Sequence, residues 1–113
     1  MMLCLGSVTY ASAQTKTQAE INADLGVYRK QIDSLDKLLI QVLGNRQRVV
    51  KDVGIYKKNN NIPPLQPARF KQVLDRAIAS GQKENLSVEF ITDMMNAIHK
   101  ESLRIEGDST AVH

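Results

Sequence analysis

The stretch from residue 20 to residue 58, EINADLGVYRKQIDSLDKLLIQVLGNRQRVVKDVGIYKK, decides the fold. Its apolar residues recur alternately every three and four positions, which is typical of a long helix with one apolar seam. The seam positions are Ile21, Leu25, Tyr28, Ile32, Leu35, Leu39, Val42, Arg46, Val49, Val53 and Tyr56. Arg46 is the one charged residue among them. Because burying an unpaired guanidinium is costly, we expect an anionic partner for Arg46, supplied either by a carboxylate of the protein or by a ligand.

The predicted helix is too long for one small chain to cover. At about 1.5 Å per residue it spans roughly 55–60 Å. A compact chain of this size has a diameter of only about 35 Å. The exposed part of the seam therefore needs a second chain, and we expect an intertwined homodimer.

A second helix follows a short loop. Asparagines and prolines between residues 59 and 66 resist any regular element and predict that loop. Pro67 suits the first turn of a helix, with Gln66 as an indifferent cap. We expect this helix to run to about Ser80 and to stop at Gly81.

A third helix begins after Ser87, which is a favourable N-cap residue. Its predicted inward face includes Phe90, and Gly107 is expected to end it. Residues 108–113 would then form a frayed, disordered tail. No segment has strand-like alternation, so the sequence predicts an all-α domain of three helices over residues 14–107.

Composition narrows the function classes. Aromatic residues make up 4% of the chain and Trp is absent, which argues against base stacking on nucleic acids. Cys4 is the only cysteine, so the sequence allows neither an intrachain disulfide nor a cysteine metal cluster. We expect no metal site, no nucleic-acid partner and, in the mature form, no membrane segment.

The uncharged stretch at residues 1–13 resembles the end of a secretory signal. Ala11-Ser12-Ala13 forms a small-residue cleavage site before Gln14. Its apolar run is short and no basic residue precedes it, which a start codon assigned too late would explain. We expect export to the periplasm or beyond; without a functional signal the protein would be cytoplasmic.

Four basic residues form a candidate anion site. Arg46 and Lys57 lie about three turns apart on one helix face, and Arg69 follows the loop that returns toward that face. Arg29 lies roughly 100° around the axis from Arg46, so we expect it to serve the partner's pocket. Such cations around an apolar cavity suit a small dicarboxylate. Taken singly, they are also typical solvated surface charges, and His99 is typical of a helix face.

At this point the sequence resembles the all-helical (AroQ-class) chorismate mutases. The resemblance covers about residues 25–106, and its specific part is the combined spacing of Arg29, Arg46, Lys57 and Arg69. The contributing segments are residues 28–36, 45–46, 53–57, 67–69 and 101–106. The resemblance implies three helices in a domain-swapped homodimer with shared active sites. It also implies an isomerase of the shikimate pathway, which supplies Phe and Tyr, converting chorismate to prephenate by a Claisen rearrangement without a cofactor.

The family's site residues transfer to this chain by position. Arg29 from one chain and Arg46 from the other would hold the two carboxylates. Lys57 would donate to the ether oxygen and a carboxylate, as catalytic residue together with Arg46 and the residue at position 106. Arg69 would support the carboxylate side, and Ser102 would line the pocket.

Three positions depart from the family's pattern. Phe70 replaces a Glu that binds the substrate hydroxyl, Gln66 replaces an Asp, and Glu106 replaces a Gln that donates to the ether oxygen. A carboxylate at Glu106 would repel the developing oxyanion unless it is protonated, so we expect activity to rise as pH falls. Phe70 keeps isochorismate pyruvate lyase as an alternative. A non-catalytic helical dimer that binds an anionic metabolite is the second alternative.

Overall fold

The computed structural model describes Gly6 and residues 15–110, and this part of the chain contains three helices and no strand. The helices are α1 (Gln18–Asn59), α2 (Pro67–Lys83) and α3 (Val88–Thr110). The predicted all-α class is confirmed. The predicted signal at residues 1–13 lies outside the described residues except for Gly6, and so does the end of the predicted tail, residues 111–113.

The chain divides into two compact units, Met1–Ile40 and Gln41–His113, with the boundary inside α1. In the first unit the apolar seam of α1 is exposed, with Leu35 64% and Ile32 54% accessible. In the second unit the seam residues Val49 and Tyr56 are similarly exposed, at 61% and 64%. An apolar stripe this long is unusual on the surface of a soluble monomer. The homodimer stays a prediction that this exposure favours.

Local chemistry explains where the second and third helices begin. Pro67 occupies the start of α2, where its missing N–H is not needed, and Gln66 makes no side-chain cap, as expected. The Ser87 hydroxyl accepts a hydrogen bond of 3.1 Å from the Phe90 backbone N–H, which confirms Ser87 as the N-cap of α3. Asn61 and Asn85 supply the left-handed backbone of the two connections, with φ of 55° and 61°.

Two predicted glycine stops are wrong. Gly81 lies inside α2, which continues to Lys83, and Gly107 lies inside α3, which continues to Thr110. None of the described glycines has a positive φ, so neither residue uses the freedom that ends a helix. Gly81 instead permits close packing, because a Cβ there would lie 2.6 Å from Cγ1 of Ile91. Thus the Ile91 side chain of α3 packs directly against the backbone of α2 at Gly81.

The core of the C-terminal unit differs from the predicted one at Phe90. Phe90 is 53% exposed, whereas its neighbour Ile91 is 3% exposed and Met95 is 9% exposed. The inward face of α3 therefore starts one residue later than expected, because Ile91 is the side chain that meets Gly81. None of the helices in the described residues is long and apolar enough to span a bilayer.

Candidate functional site

A cavity of about 620 Å³ lies within the C-terminal unit, between the end of α1, the α1–α2 connection, α2 and α3. Its polar lining residues are Arg46, Lys57, Gln66, Arg69, His99, Ser102 and Glu106. Its apolar lining residues are Val49, Val50, Val53, Pro64, Phe70, Val73, Met95 and Leu103. The structure thus brings together every predicted site residue of this unit. Arg29 belongs to the other unit, where it is exposed, and its role in a partner's site stays a prediction.

Arg46 is half-buried and has only neutral partners among the described residues. Its Nη1 donates to Ser102 Oγ at 2.8 Å and to Gln47 Oε1 at 2.8 Å. Ser102 is itself fixed, because its hydroxyl donates to the Ile98 carbonyl at 2.8 Å. Ion pairs in the described part of the chain include no carboxylate for Arg46. The anionic partner expected for this guanidinium is thus not supplied by the described residues of the same chain.

Lys57 is held between two oxygen acceptors. Its Nζ donates to the Pro64 carbonyl at 2.8 Å and lies 3.1 and 3.2 Å from the two carboxylate oxygens of Glu106. The side chains of Lys57 and Glu106 are only 15% and 9% exposed. Glu106 is thus a buried ion-pair partner and not a solvated residue at a fraying helix end. Three acceptor oxygens thus face the three N–H groups of the ammonium, so a ligand oxygen that binds Lys57 must compete with Glu106 for it.

Phe70 and His99 form one wall of the cavity. Their rings are stacked, with centroids 3.9 Å apart and an angle of 18° between the planes. Burial lowers the pKa of His99 below its ordinary value of 6.5, and the positive charges of Arg46 and Lys57 act in the same direction. The Glu106 carboxylate opposes this shift. The fold therefore favours the neutral form of His99.

Gln66 and Arg69 line the cavity but remain exposed, so they lie where it opens to solvent. Arg69 stands in the first turn of α2, directly after Pro67 and Ala68, which the α1–α2 connection brings back toward α1. A guanidinium at the entrance attracts anions and can bind a carboxylate with two parallel hydrogen bonds. The cavity as a whole offers three cations, one carboxylate and largely apolar walls.

Sequence reasoning missed two residues of this site. His99 was expected on a helix face, but it lies in the cavity; its spacing of three residues from Ser102 and seven from Glu106 places all three on one side of α3. That spacing was the available signal. Gln47, which fixes Arg46, follows a seam residue and has no distinguishing pattern of its own.

This arrangement suits a small dianion whose reaction needs electrostatic help. The cations can hold carboxylates, Lys57 can donate to an oxygen that gains negative charge, and the apolar walls exclude water. Among the described residues no cluster of His, Cys, Asp and Glu side chains has the arrangement of a metal site.

Comparison with known proteins gives a consistent match. The family model described as chorismate mutase type II matches residues 28–107. The bifunctional chorismate mutase/prephenate dehydratase of Buchnera aphidicola subsp. Schizaphis graminum is 32% identical over 80 residues, covering 71% of this chain and 21% of that protein. The T-protein of Enterobacter agglomerans is 30% identical over 86 residues, covering 76% of this chain and 23% of that protein. The chain therefore spans less than a quarter of these two relatives.

A shorter relative matches over most of its length. The 4-amino-4-deoxychorismate mutase of Streptomyces venezuelae is 28% identical over 78 residues, which are 69% of this chain and 76% of that protein.

Proposed function

Because the chain belongs to the chorismate mutase type II family, we propose that it converts chorismate to prephenate by a Claisen rearrangement. The observation that carries this proposal is the half-buried Arg46, which Ser102 and Gln47 hold in an apolar cavity and which has no carboxylate partner among the described residues. A dianionic substrate supplies the missing negative charge. The rearrangement needs no covalent intermediate, so binding the folded substrate and stabilising developing charge are sufficient.

The cavity residues take separate roles in this proposal. Arg46 holds one carboxylate, and its two neutral partners keep the guanidinium oriented before the substrate arrives. Lys57 donates to the ether oxygen as negative charge develops on it, since the Pro64 carbonyl fixes its position. Arg69 supports the carboxylate side of the substrate where the cavity opens, and Gln66 also lines the open side. Phe70 forms part of the apolar wall.

Glu106 makes the proposed reaction dependent on acid. Its carboxylate lies 3.1 Å from the Lys57 ammonium and competes with the substrate for it. When Glu106 gains a proton, Lys57 is released toward the ether oxygen and the new O–H can donate as well. The proposed activity therefore rises as pH falls.

The proposed enzyme is a homodimer with shared active sites. Supporting this, the exposed apolar residues on α1 extend along most of the helix and include Ile21, Leu25, Tyr28, Ile32, Leu35, Leu39, Val42, Val49, Val53 and Tyr56. A second copy would cover this stripe and bring its own Arg29 to the second carboxylate.

Mixing two inactive variants tests the shared site. If Arg29 and Arg46 of one site come from different chains, Arg29→Ala and Arg46→Ala homodimers are both inactive. Refolding them together regenerates about a quarter of the wild-type activity, because half of the random dimers carry one intact site. A monomeric mass by light scattering, or no recovery on mixing, contradicts the shared site.

Product analysis tests the reaction. Purified protein is incubated separately with chorismate, 4-amino-4-deoxychorismate and isochorismate, and the products are identified by NMR. The proposal expects prephenate from chorismate. Pyruvate release from isochorismate would support the lyase alternative, which the apolar Phe70 favours. Preferential turnover of 4-amino-4-deoxychorismate would instead support the substrate in the name of the Streptomyces relative.

A double substitution separates an enzyme from a binding module. Phe70→Glu together with Glu106→Gln replaces two of the three site departures by the residues typical of the family. A large gain in turnover at neutral pH is expected of an enzyme tuned to acid. If both the wild type and the variant bind chorismate without converting it, the result would support the binding module.

Export is a further part of the proposal. We propose cleavage after Ala13, which leaves a mature chain beginning at Gln14. N-terminal sequencing of protein recovered from the periplasm of a bacterial host tests this; uncleaved protein confined to the cytoplasm contradicts it.

A further inference from the structure

His99 is a polar residue of the cavity to which the proposed mechanism gives no role. Its ring stacks on Phe70 with centroids 3.9 Å apart, so the neighbouring side chain fixes the plane of the imidazole. Stacking restricts the imidazole to one plane, so its two nitrogens lie in that plane beside the cavity. A fixed polar group inside a ligand cavity orients what binds there.

The nitrogens of His99 have no hydrogen-bond partner among the described residues, unlike the neighbouring polar groups. Lys57 is bonded to Glu106, and Arg46 to Ser102. No side-chain nitrogen or oxygen in the described part of the chain is both fully buried and unbonded. The nitrogens of His99 therefore remain accessible, and His99 lines the cavity.

The charge of His99 selects the kind of group it can bind. The other charged residues that line the cavity with His99 are Arg46 and Lys57 on α1, Arg69 on α2 and Glu106 on α3. Burial and the two cations of α1 lower the pKa of the imidazole, against the opposing Glu106 carboxylate, and so favour its neutral form. A neutral imidazole offers one N–H donor and one nitrogen acceptor. That pair matches a hydroxyl group, whereas the carboxylates of a ligand are better matched by the arginines.

We propose that His99 is a specificity-determining residue that hydrogen-bonds the ring hydroxyl of a hydroxylated cyclohexadiene dicarboxylate. The inference rests on the proposed function for the class of substrate, and it adds the residue that recognises the uncharged end of that substrate. The stacked Phe70 holds the imidazole in place and shields the hydrogen bond from water. An ammonium group at this position is disfavoured by the nearby positive charges of Arg46 and Lys57.

Kinetic selectivity tests the inference. The full chain and a His99→Phe variant are compared on chorismate and on an analogue without the ring hydroxyl. Phenylalanine keeps the stack on Phe70 and removes both nitrogens. The wild type is expected to prefer chorismate by about five- to tenfold in kcat/KM, as one neutral hydrogen bond contributes. His99→Phe should reduce this ratio to about one. An unchanged ratio overturns the inference, even if overall activity falls.

A binding measurement gives a result that does not depend on turnover. The full chain labelled with ¹⁵N is titrated with prephenate, which carries both carboxylates and a ring hydroxyl. The His99 imidazole signals, identified by their loss in His99→Phe, are expected to shift at saturation while those of the other histidine stay in place. Prephenate binding without this shift, or no prephenate binding, overturns the inference. Shifted signals in a protein that leaves chorismate unchanged would instead overturn only the mutase proposal.

Discussion

Replacing Glu106 by glutamine tests how the site handles negative charge. The Glu106→Gln substitution keeps the size of the side chain and an oxygen acceptor for Lys57, but it removes the carboxylate charge. In the wild-type protein both carboxylate oxygens lie close to Lys57 Nζ, at 3.1 and 3.2 Å. The ammonium that should stabilise the ether oxygen is therefore already shared with a fixed anion.

The size of the effect follows from these distances. A substrate oxygen bonded to the same ammonium at about 2.8 Å would stand roughly 5–6 Å from the Glu106 carboxylate. One full unit of negative charge at that separation costs about 3 kcal/mol at an effective dielectric constant of about 20. Because only part of a charge develops on the ether oxygen, the barrier should fall by about 1–2 kcal/mol, or roughly five- to thirtyfold in rate at neutral pH.

The assay is chorismate turnover from about pH 3.5 to about pH 7.5, a range that includes the reference pKa values of carboxyl groups. The wild-type rate should rise toward acid, whereas the Glu106→Gln rate should be nearly constant and exceed the wild type most at neutral pH. Glu101→Gln is the matched control. Glu101 is an exposed residue of α3 whose pKa is lowered by its hydrogen bond from Arg104, and it does not line the cavity. Its substitution should leave the pH profile unchanged.

Two results would refute this reasoning. If Glu106→Gln is slower than wild type at neutral pH, the carboxylate assists the reaction and does not oppose it. If the wild-type profile is flat over the whole range, protonation of Glu106 does not control turnover.

The remaining predictions concern stability and the ion pair. Gly81→Ala should lower the free energy of unfolding by about 1–2 kcal/mol in urea titrations, because the new methyl group would lie 2.6 Å from Cγ1 of the buried Ile91; a stabilised variant would contradict this packing. Because the pKa of His99 is lowered in the fold, the unfolded chain binds its proton more readily below pH 6.5. The free energy of unfolding of the wild type should therefore fall relative to that of His99→Phe as pH decreases through that region. The same pH dependence in both proteins would contradict this prediction. Lys57→Met should lower the free energy of unfolding by about 2–4 kcal/mol, since it leaves Glu106 buried without its partner. Adding Glu106→Gln to this variant should restore much of the stability but no activity. Equal stability of the single and the double variant would contradict an ion pair between the two side chains.

The helices could be predicted because their signals are local. The three–four spacing of α1, Pro67 at the start of α2 and the Ser87 cap of α3 each depend on neighbouring residues only, and the structure confirms them. The stop at Gly81 was wrong because its glycine serves a contact with Ile91, which belongs to a different helix.

The same distinction applies to the site. Arg46 and Lys57 could be assigned to one face because they share a helix, and the structure brings them to the same cavity. The stack of His99 on Phe70 depends on how α3 packs against α2, and helix periodicity does not specify which side chains meet across two helices. The Lys57 bond to the Pro64 carbonyl likewise depends on the path of a loop.

The most direct test of the central claim is the loss of chorismate absorbance catalysed by the wild type and by two arginine variants in mildly acidic solution. Arg46→Ala removes the guanidinium of the cavity, whereas Arg48→Ala removes an exposed one on the same helix that bonds to Asn45. Prephenate formation is expected from the wild type and from Arg48→Ala, with a loss of about ten- to a hundredfold in Arg46→Ala, because a carboxylate loses its charged partner. No consumption of chorismate by the wild type, or equal rates in the two variants, would contradict this expectation.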